Sequence, residues 1–441
     1  MIFGYENLME DGDPVENCID YDFQGWKICN CGSYFVGLFQ IVKHDFIETT
    51  DGGDFQVNTP LKFKLIKDIK DEEYYYIINL KEFAGSIGVD RESGKIHDKS
   101  IFEHISQKVL DDCIRGKCKI ILNYGYEGFG KKTNGGDTIL YKPLLDRLHE
   151  LLDEYKIPHN SVVYLDANTI LDDIVLDTKI NYFSYEYTAL DWDRYTSMHP
   201  NMIYHSNTKS LKHLKKLEKT KDSIRKKYFL SFNRLPKEHR VDLVISLEKH
   251  NLLSKGYISF PKHDEFWKFK TFNQKLKPYE DSLLSKLPLK IDNIQLNKRK
   301  WSYEKFDNRF YLNSYFQIVT ENQFTDYEDQ LQFSEKIWKP ITNFQPFILL
   351  GDRYQLKKLR DWGFKTFSPF IDESYDNVLD KKERFDMIEF EINRLCNRPI
   401  EKIHDWYWSI QQDLKHNYYH FYGKWIKSQR DKLYDNLKEI L

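Results

Sequence analysis

The chain has 441 residues, 41% hydrophobic and 30% charged, with 66 Lys and Arg against 68 Asp and Glu for a formal charge of −2. That length can bury two cores, the apolar content excludes a fibrous or disordered chain, and the charge balance weighs against binding nucleic acid through net charge. No run approaches the ~20 apolar residues that a membrane span requires, and six scattered cysteines, of which only Cys29 and Cys31 lie close, form neither a zinc-ligand spacing nor a secreted disulfide framework.

The first residues, MIFGYENLMEDGDP, carry acids where a secretory signal has a positive region and an apolar core, so a soluble, cytoplasmic protein is expected. Ser33–Val42 and Tyr74–Leu80 read as strands among polar clusters. A clearer order follows, with a strand at Lys119–Tyr124, a helix over Leu140–Tyr155, and strands at Ser161–Leu165 and Ile180–Tyr187. Strand, helix and strand in that order predict a parallel unit. From Ser206 to Lys227 the chain turns basic, with nine Lys or Arg against two acids, and Leu211, Leu214 and Leu217 make one stripe of a surface helix. Such a helix suits a solvated face, a nucleic acid or an anionic membrane.

A second α/β unit starts at Tyr228: YFLSFN is a strand, RLPKEHR a loop, Val241–His250 a helix and Gly256–Phe260 a strand. Lys262–Phe310 has no clear period and reads as an insertion. Tyr315–Thr320 is an apolar strand, SEKIWKPI a helix capped by Ser334, and PFILLG a strand closed by Gly351. Tyr354–Trp362 is a helix ended by Gly363, KTF a short strand, and Lys381–Leu441 helical with breaks at Pro399 and Gly423. The expected divisions are a domain over 1–205, a basic connector over 206–227, a domain over 228–380 and a helical tail over 381–441.

Polar residues at strand ends and a helix N-terminus form the crevice in which α/β sheets hold phosphorylated ligands. The spacing Glu321 … Ser334-Glu335-Lys336 … Pro346-Phe347 … Gly351 resembles the donor motif of α1,3-fucosyltransferases and related glycosyltransferases of the GT-B class, bacterial or phage type. There an FEN-like segment precedes a (T/S)EK triplet and a strand ending in glycine. The resemblance is close over Ile318–Gly351 and looser over the C-terminal half. It departs in the longer interval TDYEDQLQ and in Asn343–Gln345, where a small-residue loop is usual, and both leave the sugar open.

The resemblance implies an α/β fold of two Rossmann-like domains facing a cleft, with a terminal helix crossing back to the first. It implies a GDP- or UDP-linked sugar donor bound by the C-terminal domain, with Glu335 on the ribose, Lys336 on the phosphates and Glu321 in support. It also implies inversion, no bound metal and no other cofactor. An arginine near the first strand of the second domain would neutralise the diphosphate, and Asn233, Arg234 and Arg240 stand there.

An inverting enzyme needs a base for the acceptor hydroxyl. Glu127, in the glycine-rich NYGYEGFG, is the first candidate, and Glu186, in FSYEYTALDW, the second, with Asp191 and Asp193 close behind. That glycine-rich segment lacks the spacing of a phosphate loop. FIDESYD clusters Asp372, Glu373 and Asp376, which suit either a divalent cation or the floor of a cleft. The expected activity is sugar transfer from a nucleotide to a hydroxyl of a glycan. The alternatives are a phage-type enzyme glycosylating hydroxymethylated DNA bases, and a non-catalytic nucleotide- or glycan-binding protein.

Overall fold

The computed structural model describes residues 1–5, 18–20, 27–29, 62–80, 83–90, 93–97, 99–125, 138–198, 208–233, 235–261, 275–279, 282–291 and 309–441. The chain is α/β with parallel sheets and C-terminal helices, and it divides into two compact units, Met1–Arg194 with Ile426–Leu441, and Tyr195–Trp425. The expected strand at Ser33–Val42, most of the Lys262–Phe310 insertion, and Glu127 and Arg234 lie outside the described residues.

In the first unit β5 (Tyr74–Asn79), β6 (Cys118–Tyr124), β7 (Val162–Asp166) and β8 (Asn181–Ser184) run parallel in that order. Along the free edge of β5 run β1 (Ile2–Tyr5), itself parallel to β4 (Lys62–Leu65), and the antiparallel pair β2 (Cys18–Asp20) and β3 (Lys27–Cys29). β5 to β7 read as unbroken apolar runs because a parallel sheet is covered on both faces. Leu144, Leu148, Leu151 and Leu152 bury one face of α2 (Lys142–Glu154) in a core shared with Tyr76, Ile120, Val162 and Tyr164, which also holds Val109 and Cys113 of α1 (Gln107–Ile114). The expected strand at Ile180–Tyr187 stops at Ser184, and α3 (Tyr187–Met198), which the pattern does not announce, takes over.

The second unit opens with α4 (Thr208–Glu218), which buries Leu217. Its four strands among the described residues are all parallel, in the order β10 (Gly256–Ser259), β9 (Lys227–Phe232), β11 (Ser314–Thr320) and β12 (Phe347–Leu350). α5 (Glu238–Lys249) links β9 to β10, and α6 (Glu335–Thr342) links β11 to β12. α5 begins three residues before the expected helix and so takes Arg240 into its first turn. After β12 comes α7 (Gln355–Asp361), closed by Gly363 at φ +91°, a conformation that suits only glycine.

KTF is not a strand. The side chain of Asn417 accepts from Lys365 N at 2.7 Å and donates to Lys365 O at 2.9 Å, giving that backbone the pairing a neighbouring strand would supply. The tail forms α8 (Lys381–Cys396), α9 (Ile400–Ser409) and α10 (Gln411–His420), with an unforeseen break at Ile410. Gly423 lies in a π-turn, Phe421–Trp425. Trp338 of α6 packs against Phe333, Phe364, Phe421 and Trp425, anchoring the tail on the sheet.

The last helix, α11 (Ile426–Ile440), belongs to the first unit. Arg430 and Asp193 form a buried ion pair there, and Tyr75 donates its hydroxyl to Leu437 O. Removing one partner of a buried pair strands the other charge. Arg430→Ala should therefore lower stability by about 3–5 kcal/mol in urea titration. Lys432→Ala, which breaks the half-exposed pair with Asp172, should stay below about 1 kcal/mol. Equal effects would count against the buried pair as the anchor of α11.

Candidate functional site

Six of the expected donor residues converge in the second unit, at the carboxyl ends of β9 and β11 and the start of α6. Asn233 closes β9, where its Oδ1 accepts from the Thr320 hydroxyl at 2.8 Å and its Nδ2 donates to Ser231 Oγ at 3.0 Å, tying β9 to β11. Glu321 follows β11 and is 1% exposed. Its Oε2 accepts from Ser334 N at 3.1 Å and Asn322 N at 3.3 Å, so the carboxylate meets the chain entering α6. Burial raises the proton affinity of Glu321, and Lys336 opposes that.

Ser334 caps α6 by accepting from Lys336 N at 3.3 Å. Lys336 donates to Asn322 Oδ1 at 2.8 Å, Ser334 Oγ at 3.2 Å and Glu335 Oε2 at 3.3 Å. Glu335 also faces Lys339 at 3.4 Å. Burial works against its charge, but the two ammonium groups prevail and hold its carboxyl down to about 2. Lys336, Glu335 and Lys339 keep 15%, 18% and 16% of their side-chain surface exposed, so a ligand can reach them.

Arg240 is placed differently from the loop position expected. It is 2% exposed, and its guanidinium donates to the carbonyls of Thr320 at 3.2 Å, Glu321 at 2.9 Å and Leu235 at 3.3 Å. It thus shapes the turn after β11. His239 joins it with a ring nitrogen 2.9 Å from Glu321 O, and Lys237 donates to Asn322 O at 2.7 Å. Burial pushes the His239 imidazole well below its usual range and keeps it neutral.

Sequence reasoning missed Asn322, Lys339 and Asp352. The i, i+4 spacing from Glu335 was the available signal for Lys339, and the position just after Gly351 that for Asp352. Asp352 is 2% exposed and accepts from Thr325 N at 2.9 Å and Thr325 Oγ1 at 3.0 Å, fixing the long interval between Glu321 and Ser334. Arg384 of α8 holds Thr325 O from the other side.

The FIDESYD carboxylates are engaged locally. Asp376 accepts from Leu356 N and Lys357 N at the start of α7, Glu373 from Phe367 N and Arg360, and Asp372 from Ser374 N. Among the described residues no group of three or more His, Cys, Asp or Glu is placed to hold a metal ion, and no helix is long and apolar enough to cross a membrane.

Glu186 lies in the first unit, 3% exposed, between β8 and α3. Polar groups gather at the carboxyl ends of the neighbouring strands. Asn123 donates to Asn79 Oδ1 at 2.6 Å and accepts from the Tyr185 hydroxyl at 2.6 Å, and Asp166 accepts from Tyr164 OH at 2.8 Å and Asn168 N at 3.0 Å. Gly125 lets the Tyr185 ring approach, since a Cβ there would meet the hydroxyl at 2.2 Å. Asp193 is taken up by Arg430.

The chain matches no known protein family, no curated protein and no solved structure.

Burial raises Asp352 from 3.8 to about 7, and Glu321 adds to the effect while Thr325 and Arg384 oppose it. A carboxyl that keeps its proton in the fold but loses it when unfolded weakens the fold as pH rises from its unfolded toward its folded value. Asp352→Asn preserves the acceptor for Thr325 and removes that penalty. The thermal midpoint of the variant relative to wild type should therefore rise between about pH 4 and about pH 7 and level off above that. A difference that stays flat over that range would refute the assignment.

Proposed function

We propose that this chain is a metal-independent glycosyltransferase of the GT-B class, with two Rossmann-like domains. The second unit takes a GDP- or UDP-linked sugar, and the first serves a hydroxyl acceptor, a glycan by preference. The observation that carries the reading is the joining of Glu321, Asn322, Ser334, Glu335 and Lys336 at strand ends beside the capped start of α6. Helix starts and lysines favour phosphate oxygens.

In this reading Lys336 exchanges its bonds to Asn322 and Ser334 for diphosphate oxygens, and Lys339 adds a second charge. Glu335, ionised at any working pH, accepts from the ribose hydroxyls. Arg240 acts as a positioning residue that holds the turn carrying Glu321 and Asn322. The acceptor hydroxyl attacks the anomeric carbon and its proton passes to a carboxylate, while the bond to the diphosphate breaks with its electron pair leaving on the phosphate. Prepositioned charge stabilises that leaving group without reorganisation.

A panel of nucleotide sugars screened by thermal shift tests the donor, because a ligand at ~100 times its dissociation constant adds about 2.7 kcal/mol. Lys336→Ala should raise the Kd of the nucleotide at least roughly tenfold, about 1.4 kcal/mol, with the fold left intact by circular dichroism. Unchanged affinity by calorimetry would remove Lys336 from the site, and binding without turnover on any acceptor would favour the non-catalytic reading.

The base is tested by Glu127→Gln and Glu186→Gln, made in parallel. Removing a general base lowers turnover by ~10²–10⁴-fold, with donor affinity preserved. Loss in one variant alone identifies the base. Normal turnover in both would retire the inverting mechanism.

A further inference from the structure

The charge of this chain is balanced overall and concentrated locally. Lys212, Lys215 and Lys216 of α4 are exposed, as is Lys219, whose amide continues the helical turn by donating to Lys215 O at 3.3 Å. The spacing i, i+3, i+4, i+7 sets all four on one helix face about 10 Å long, opposite the buried His213 and Leu217. Lys221 and Lys226, also exposed, follow. Like charges at i, i+4 destabilise a helix, so this row works against α4 unless an anion meets it. The one acid of α4, Glu218, lies 3.9 Å from Lys415 and draws a further exposed ammonium to the same helix.

The remaining chemistry of this segment narrows the partner. Arg225, its only arginine, is buried, donates to Tyr311 O and Ser314 O, and stacks 3.9 Å from the Tyr407 ring centroid. Residues 212–226 hold no Asn, Gln, Phe, Tyr or Trp, so nothing exposed there makes the amide contact to adenine or stacks on bases. Ile224 is exposed at 45% among the lysines. Ammonium groups with one aliphatic side chain suit a headgroup layer, where the attraction of successive lysines accumulates.

We propose that the lysine face of α4 docks the protein on an anionic lipid surface. The experiment sediments the full chain with neutral phosphatidylcholine vesicles and with vesicles carrying roughly 30% phosphatidylserine, and compares the variant Lys212→Gln/Lys215→Gln/Lys216→Gln/Lys219→Gln. Wild type should bind the anionic vesicles at low salt, release at high salt and ignore the neutral ones. The variant should partition at least roughly tenfold less, with a thermal midpoint no lower than that of wild type. If the fourfold variant misfolds, the pairs Lys212→Gln/Lys216→Gln and Lys215→Gln/Lys219→Gln carry the same test. Absence of wild-type binding, or binding that the substitutions leave intact, overturns the proposal. So does tighter binding to duplex DNA or RNA at the same ionic strength with the same lysine dependence, which would assign the face to nucleic acid.

Discussion

The second unit turns on one buried carboxylate. Glu321 donates its backbone amide to Leu350 O at the end of β12, accepts at its carbonyl from His239 and Arg240 of α5, and accepts at its carboxylate from Ser334 at the entrance to α6. Three elements are thereby registered on a single residue. Its side chain lies deep enough for burial to favour the protonated form, and Lys336 supplies the counter-charge. The largely buried lysines thus begin from a position fixed by buried contacts.

Around that residue the cations divide by what they hold. Arg240 and Arg384 are buried and bonded to backbone carbonyls, which cannot move aside without undoing a turn. Lys336 and Lys339 face side-chain oxygens, and those bonds can be exchanged for a ligand's oxygens within the existing backbone. The planar, multidentate guanidinium suits the first task and the compact ammonium the second. The two sheets share a habit as well: in each unit asparagine side chains join adjacent strand ends, Asn123 to Asn79 in one and Asn233 to β11 in the other.

Strong local signals were legible. The apolar runs of β6, β7, β11 and β12 and the capped start of α6 stand where the residue pattern put them, because buried parallel strands and a Ser cap are each dictated by nearest neighbours. What failed was set from afar. KTF has strand composition, yet its hydrogen bonds go to Asn417, some fifty positions on. The loop expected to carry Arg240 is already helical, because α5 starts at Glu238 with no capping side chain to mark it. α3 escaped notice because Ala189, Leu190, Trp192 and Asp193 are all buried and polar and apolar residues share its inner side. The acidic and basic types of the candidate site were readable; their partners, Asn322, Thr325 and Asp352, depend on how β11 and β12 lie side by side.

The return of α11 makes the first unit discontinuous. Tyr195–Trp425 is threaded between two pieces that belong together, and the contacts of Tyr75 with Leu437 and of Asp193 with Arg430 join residues hundreds of positions apart. During synthesis the second unit has all its residues outside the ribosome first, while the sheet that began the chain waits with an uncovered flank for its closing helix. Order of emergence and order of completion are reversed. A nascent chain of this kind keeps an apolar surface open until residues 426–440 have been made, so its exposure to chaperones and to aggregation is set by α11 rather than by the first strands.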